Sequence, residues 1–174
     1  MDLNKFNFNY NVSLNTVNCI SAIDFTYHIN DHDYPIFHTH EDYWEFTIVS
    51  SGMIENIRNG KSEIISKDML MVLTPEDNHY FIKKDNDNIT ITNIVCRNRA
   101  ISSIIKTLFG EYLDVLLHGK KVYSLPKHMI YLIDSNIILA NSYSETDWKK
   151  TNEILKSTVI SILSYLYTED LCND

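Results

Sequence analysis

The sequence predicts a mainly β protein: an antiparallel sandwich or barrel of short strands, followed by a C-terminal α-helical extension. Three observations carry this. Before Arg97 the segments are short and rich in β-branched and aromatic residues, with turn residues between them, which is the pattern of strands. Among them, Asn59-Gly60 separates two alternating apolar runs. That dipeptide suits a two-residue hairpin, because both central residues of such a turn adopt positive φ. After Arg97 the apolar residues recur at helical spacing. The expected division is therefore residues 1–97 and residues 98–174.

In order, residues 1–15 place Phe6, Phe8 and Tyr10 on one side of an extended arm. Residues 17–29 read as a strand. Residues 34–40 read as a second, with Pro35 near its start, where a missing N–H is tolerated. Residues 43–49 make a third, and Met53–Arg58 with residues 62–65 form the Asn-Gly hairpin. Met69–Leu73 is continuously apolar, as in a buried strand, and residues 79–83 and 89–96 complete the set around the polar loop Asp85-Asn86-Asp87-Asn88.

The helical part begins with residues 100–109, where Ile101, Ile104, Ile105 and Leu108 fall on one face and Gly110 stops the run. Residues 112–117 make a further turn or two, ended by Gly119. A third helix starts at Pro126 with Ser124 as its cap, and carries Met129, Ile130, Ile133, Ile137 and Ala140 on one side. The last starts near Asp147 and carries Leu155, Val159, Ile162, Leu163 and Leu166. These stripes are expected to be core, with a homodimer seam as their second use.

The chain of 174 residues, 44% hydrophobic and 22% charged, is long enough to bury a core without disulfides. With 15 Lys and Arg against 23 Asp and Glu, its net charge of -8 argues against this segment gripping a nucleic-acid backbone or an anionic membrane. Cys19, Cys96 and Cys172 are odd in number and far apart, with no CxxC pair, which is expected of reduced thiols in a cytoplasmic protein. No basic-then-apolar leader opens the sequence. No apolar run has transmembrane length; even residues 129–140 are interrupted by Asp134, Ser135 and Asn136.

The chemistry concentrates in His38-Thr39-His40-Glu41-Asp42-Tyr43-Trp44-Glu45. His38 and His40 are two apart on a strand, so both imidazoles point to one face. Glu45 follows His40 after four residues, Gly52 follows after six more, and Pro75 and His79 come later. Three imidazoles and a carboxylate suit a divalent transition metal such as Zn, Mn, Ni or Fe. Tyr34, Tyr43, Trp44 and Tyr80 lie close by in sequence. Trp44 alternates with Glu45, so it is expected on the opposite side of the sheet, under the helices. His28, His32, His118 and His128 have no spacing partners and read as ordinary histidines.

The pattern His38, His40, Glu45, Gly52 with Pro75 and His79 resembles the two motifs of the cupin superfamily. It departs from them at Lys67 and Asp77, where the family has Gly, and at Lys83, where it has Asn. The resemblance implies a double-stranded β-helix, the cupin jelly roll. Within the cupins, the run Asp42-Tyr43-Trp44-Glu45-Phe46-Thr47, then Asn59-Gly60-Lys61 and Asp68 to Pro75, is similar to the sensor domain of AraC-family transcription regulators, in particular the chitobiose-operon regulator branch. That likeness implies a small-molecule effector in the barrel, a sugar above all. It implies ligand-binding roles for His38, His40, Glu45 and His79, dimerisation through the C-terminal helices, and a DNA-binding domain not contained in this chain. Tyr43 and Tyr80, beside these residues in sequence, join the expected ligand-binding set as aromatic faces on which a sugar can stack. The competing expectation is a stand-alone metal-dependent cupin enzyme of dioxygenase or sugar-isomerase type, which the complete ligand set supports.

Overall fold

In a computed structural model of the chain, residues 24–30, 34–40, 42–83, 88–119 and 121–173 are described. The expected arm and the start of the first expected strand lie outside these residues. The strands are β1 (Phe25–Asn30), β2 (Tyr34–Thr39), β3 (Tyr43–Ser51), β4 (Met53–Arg58), β5 (Lys61–Ser66), β6 (Met69–Leu73), β7 (Asn78–Lys83), β8 (Thr90–Arg97) and β9 (Val122–Ser124). The helices are α1 (Asn98–Leu108), α2 (Gly110–Gly119), α3 (Lys127–Tyr143) and α4 (Trp148–Asn173). No helix is long and apolar enough to cross a membrane among the described residues.

The strands make two antiparallel sheets, ordered β1-β8-β3-β6-β9 and β2-β7-β4-β5. The five-stranded sheet is covered on both faces, so β3 is buried almost continuously from Trp44 to Val49. On one face Trp44, Phe46, Ile48, Leu70, Val72, Ile94 and Cys96 pack with Ile101, Ile105, Leu113, Ile133, Leu155, Val159 and Leu163 of the helices. Each such fully buried aliphatic or aromatic side chain stabilises the fold by about 1.5–3 kcal/mol. On the other face Val49, Met71, Leu73 and Ile91 meet Ile54, Ile65 and Phe81 of the four-stranded sheet. Trp44 is under the helices, as its alternation with Glu45 required, and its indole Nε1 donates to Asn98 Oδ1 at 3.0 Å.

The hairpin is where the dipeptide put it: Arg58 pairs with Lys61, and Asn59 and Gly60 have φ of 50° and 78°. Three local readings are corrected. β9 was not expected; its three residues pair with the edge of β6, Leu70 opposite Tyr123. Ser124 therefore belongs to a strand, and Pro126 rather than Ser124 occupies the N-cap of α3, with no side-chain cap bond. Gly110, at φ 71°, opens α2 as well as following α1, so the short helical piece is a full ten-residue helix. At α4 the reading holds, since Asp147 Oδ1 accepts from Lys150 N at 3.2 Å in the manner of an N-cap.

Candidate metal and ligand site

Antiparallel pairing of β2 with β7 sets His38 directly opposite His79. The two-residue period carries His40, just past the end of β2, to the same side. Glu45 comes from β3 in the other sheet, on the face shared with Val49. The cluster thus bridges the two sheets from inside. One ligand atom from each of His38, His40, Glu45 and His79 lies within 4.8 Å of the others. His40 Nε2 is 3.1 Å from Glu45 Oε2 and 3.2 Å from His79 Nε2. His40, Glu45 and His79 are each exposed by 1% or less. The His38 ring is 4.4 Å from that of His79, centroid to centroid.

Burial raises the Glu45 carboxyl, but contact with His40 and the nearby imidazoles outweigh this and hold it at about 2. Burial drives His79 down to about 3, with Glu45 only partly opposing. At neutral pH the site therefore combines a carboxylate with a neutral His79, the protonation states a metal requires. The contact geometry fits a cation. A single proton on His40 Nε2 can serve Glu45 or His79, not both, whereas a cation would satisfy all of the converging lone pairs. His38, His40, Glu45 and His79 are the residues that would hold it.

Of the other expected site residues, Tyr43 reaches the cluster, its ring stacked on His40 at 4.5 Å and 21°. Tyr80 does not. It alternates with His79 and Phe81, which face inward, so it points to the outer side of β7.

Sequence reasoning missed His28. It lies on the inner face of β1, 4% exposed, with its Nε2 2.7 Å from Asn93 Nδ2. Asn93 stands opposite both His28 and Thr47, and Thr47 Oγ1 donates to Glu45 Oε1 at 3.4 Å. A polar row thus crosses the inner face of the sheet from Glu45 to His28. Burial holds His28 down at about 4, with Glu45 opposing. One signal was available: Phe25, Tyr27 and Ile29 alternate with His28, which puts it on the face opposite these apolar side chains.

No protein-family model matches the chain, and no curated protein sequence matches it. Solved structures do. Apo ToxT of Vibrio cholerae superposes with a TM-score of 0.64 at 13% identity, over 84% of this chain and 56% of that one. Wild-type ToxT bound to an unsaturated fatty acid gives 0.54 at 13% identity, over 83% and 56%. A cupin protein from Bacteroides fragilis aligns over 45% of this chain and 70% of its own at 14% identity, with a TM-score of 0.41. The chain spans little more than half the length of ToxT, and over that span the two share a fold.

Proposed function

We propose that this chain is the effector-sensing and dimerisation part of an AraC-type transcription regulator, cytoplasmic, with DNA contacted by a separate domain. Residues 1–97 would form the cupin-type ligand-binding unit and residues 98–174 the dimerisation and linker segment. The fold shared with ToxT supports the regulator reading. The observation that carries the ligand reading is the buried His38–His40–Glu45–His79 cluster between the two sheets.

The effector class we favour is a sugar, with a divalent transition metal at the cluster. ToxT has been solved with a fatty acid. Here Thr47, Asn93 and His28 line the way across the sheet from Glu45, and an acyl chain could not satisfy such buried polar groups. Sugar hydroxyls would instead find donors and acceptors in the histidines, Thr47 and Asn93, with Tyr43 as an aromatic face. Homodimerisation through the helices is supported by Val115, Tyr131 and Ile138, large side chains more than 60% exposed on α2 and α3.

The test is isothermal titration of the untagged, metal-stripped protein with zinc, then with mono- and oligosaccharides and an unsaturated fatty acid, alongside sedimentation velocity. Zinc binding at one equivalent, saccharide binding and a dimer are expected. Fatty-acid binding without saccharide binding would replace the sugar by a lipid. The completeness of the ligand set keeps one second reading, a stand-alone metal-dependent enzyme. Dioxygen consumption or sugar isomerisation by the metal-loaded protein would promote it above the sensor.

A further inference from the structure

Asn56 sits on β4, fully buried, between His79 of β7 and Met71 of β6 in the opposite sheet. Its Nδ2 donates to Met71 Sδ at 3.0 Å, and its Oδ1 lies 3.2 Å from His79 Nδ1. These two contacts admit only one orientation of the amide. A thioether sulfur offers lone pairs and no proton, so the NH2 must face Met71. Rotating the amide would press Oδ1 against Sδ with no hydrogen between them. The carbonyl oxygen, which only accepts, therefore faces the imidazole. His79 must then carry its proton on Nδ1, and a neutral imidazole has only one. Its Nε2 is left with a lone pair, aimed at His40 Nε2 3.2 Å away.

We propose that Asn56, oriented by the Met71 sulfur, is a positioning residue that fixes the His79 tautomer and so turns a lone pair into the cluster. The metal consequence rests on the reading of the cluster as a metal centre; the tautomer does not. A hydrogen-bond acceptor behind a ligating imidazole holds the ring and its tautomer in the ligating state, and its loss typically costs 10- to 100-fold in metal affinity. In this chain that acceptor is a neutral amide whose own direction is set by a sulfur from the other sheet. Packing between the sheets is thereby converted into the donor direction of one ligand.

The experiment is two-bond proton–nitrogen NMR of the imidazoles in the metal-free protein at pH 7, with His79 assigned by its loss in His79→Gln, and zinc affinity measured in parallel. The wild type is expected to show His79 protonated on Nδ1. Asn56→Leu should move that proton to Nε2 and weaken zinc by about 10- to 100-fold, while Asn56→Asp, which keeps an acceptor, should retain both. Should Asn56→Leu not fold, Met71→Leu nearly preserves core volume and should leave His79 as a mixture of tautomers. A wild-type His79 protonated on Nε2, or a tautomer unmoved in Asn56→Leu, overturns the proposal. So does a single unmoved tautomer in Met71→Leu. An Nδ1–H tautomer in a wild type that binds no zinc overturns the metal reading alone and leaves the positioning role standing.

Discussion

Lys121 Nζ lies 2.9 Å from Asp77 Oδ2, and both side chains are buried. Asp77 is in the turn that leads into β7 and His79, while Lys121 directly precedes β9. The pair therefore ties the segment between α2 and α3 to the strand that carries a site histidine. Asp77 is further engaged by Arg58 Nη1 at 3.1 Å and by the backbone N and side-chain hydroxyl of Thr74 at 2.8 and 2.9 Å. Burial pushes its carboxyl up, but the Thr74 hydrogen bonds and Lys121 hold it at about 2.

This arrangement predicts an asymmetry between its two ends. Removing Asp77 leaves Lys121 in the interior without its ion-pair partner, still 3.3 Å from the Thr74 hydroxyl, and breaking a buried pair in that way costs about 3–5 kcal/mol. Removing Lys121 leaves Asp77 still bound to Arg58 and Thr74. Asp77→Ala is therefore expected to lower unfolding stability in urea by about 3–5 kcal/mol, and Lys121→Met by less than half as much. Equal losses would show that Arg58 does not compensate.

The two turn glycines of β3–β4 and β4–β5 also separate by a prediction. Gly52 has φ of 75°, and a Cβ there would meet Ile89 Cγ2 at 2.7 Å and the Asn88 carbonyl oxygen at 3.1 Å. Gly60 has φ of 78°, but a Cβ there would meet open space. Gly60→Ala should cost only the left-handed backbone penalty of about 1–2 kcal/mol. Gly52→Ala adds a displacement of Ile89, which packs between the sheets, and is expected to cost about 1–3 kcal/mol more. Thermal unfolding of the two variants measures the difference directly.

His28 makes a prediction in pH. Burial lowers it from 6.5 to about 4. Below pH 6.5 the unfolded chain takes up a proton at this residue that the native protein refuses. Stability from His28 is thus complete above about pH 7, falls as pH drops through 6.5 toward 4, and changes no further below 4. His79 behaves in the same direction, and unfolded carboxylates begin to titrate only nearer pH 4.5. Between pH 6.5 and 5 each buried histidine therefore contributes about 2 kcal/mol of lost stability. His28→Gln should flatten the urea-derived stability profile over that window by about this amount. An unchanged slope would mean that His28 is protonated in the native state.

What the sequence made legible, and what it did not, follows the range of the interactions. β2 to β8 were readable because alternation and turn residues are local. The Asn59-Gly60 hairpin was readable because its signal is two adjacent residues. Trp44 was placed by parity alone. β9 was hidden, because three residues carry no period and the strand exists only through its pairing with β6. The face of His28 was legible from its alternation with Phe25, Tyr27 and Ile29, but its partner Asn93, 65 residues away, was not. Tyr80 lay beside His79 in sequence, but alternation sends it outward. Asp77 supplies the carboxylate for Arg58 and Lys121, partners 19 and 44 residues away that no local pattern announces. Asp68 holds the left-handed turn conformation with φ of 65°, which Asp tolerates better than most residues.

The last prediction separates the members of the cluster from its sequence neighbours. Glu45→Gln preserves the shape of the side chain and removes its charge, so the converging nitrogens lose the one anionic ligand a divalent cation would meet. Zinc affinity is expected to fall by ~100-fold or more. His40→Ala should do the same, because His40 Nε2 is central, within 3.2 Å of both Glu45 and His79. Tyr80→Ala, on the opposite face of β7, should leave zinc affinity within about twofold, the change typical of a surface substitution. Competition against a chromophoric chelator reads all three. If Glu45→Gln binds zinc as tightly as the wild type, the carboxylate is not a ligand, and the cluster acts as a three-histidine site whose remaining position is open to a small molecule.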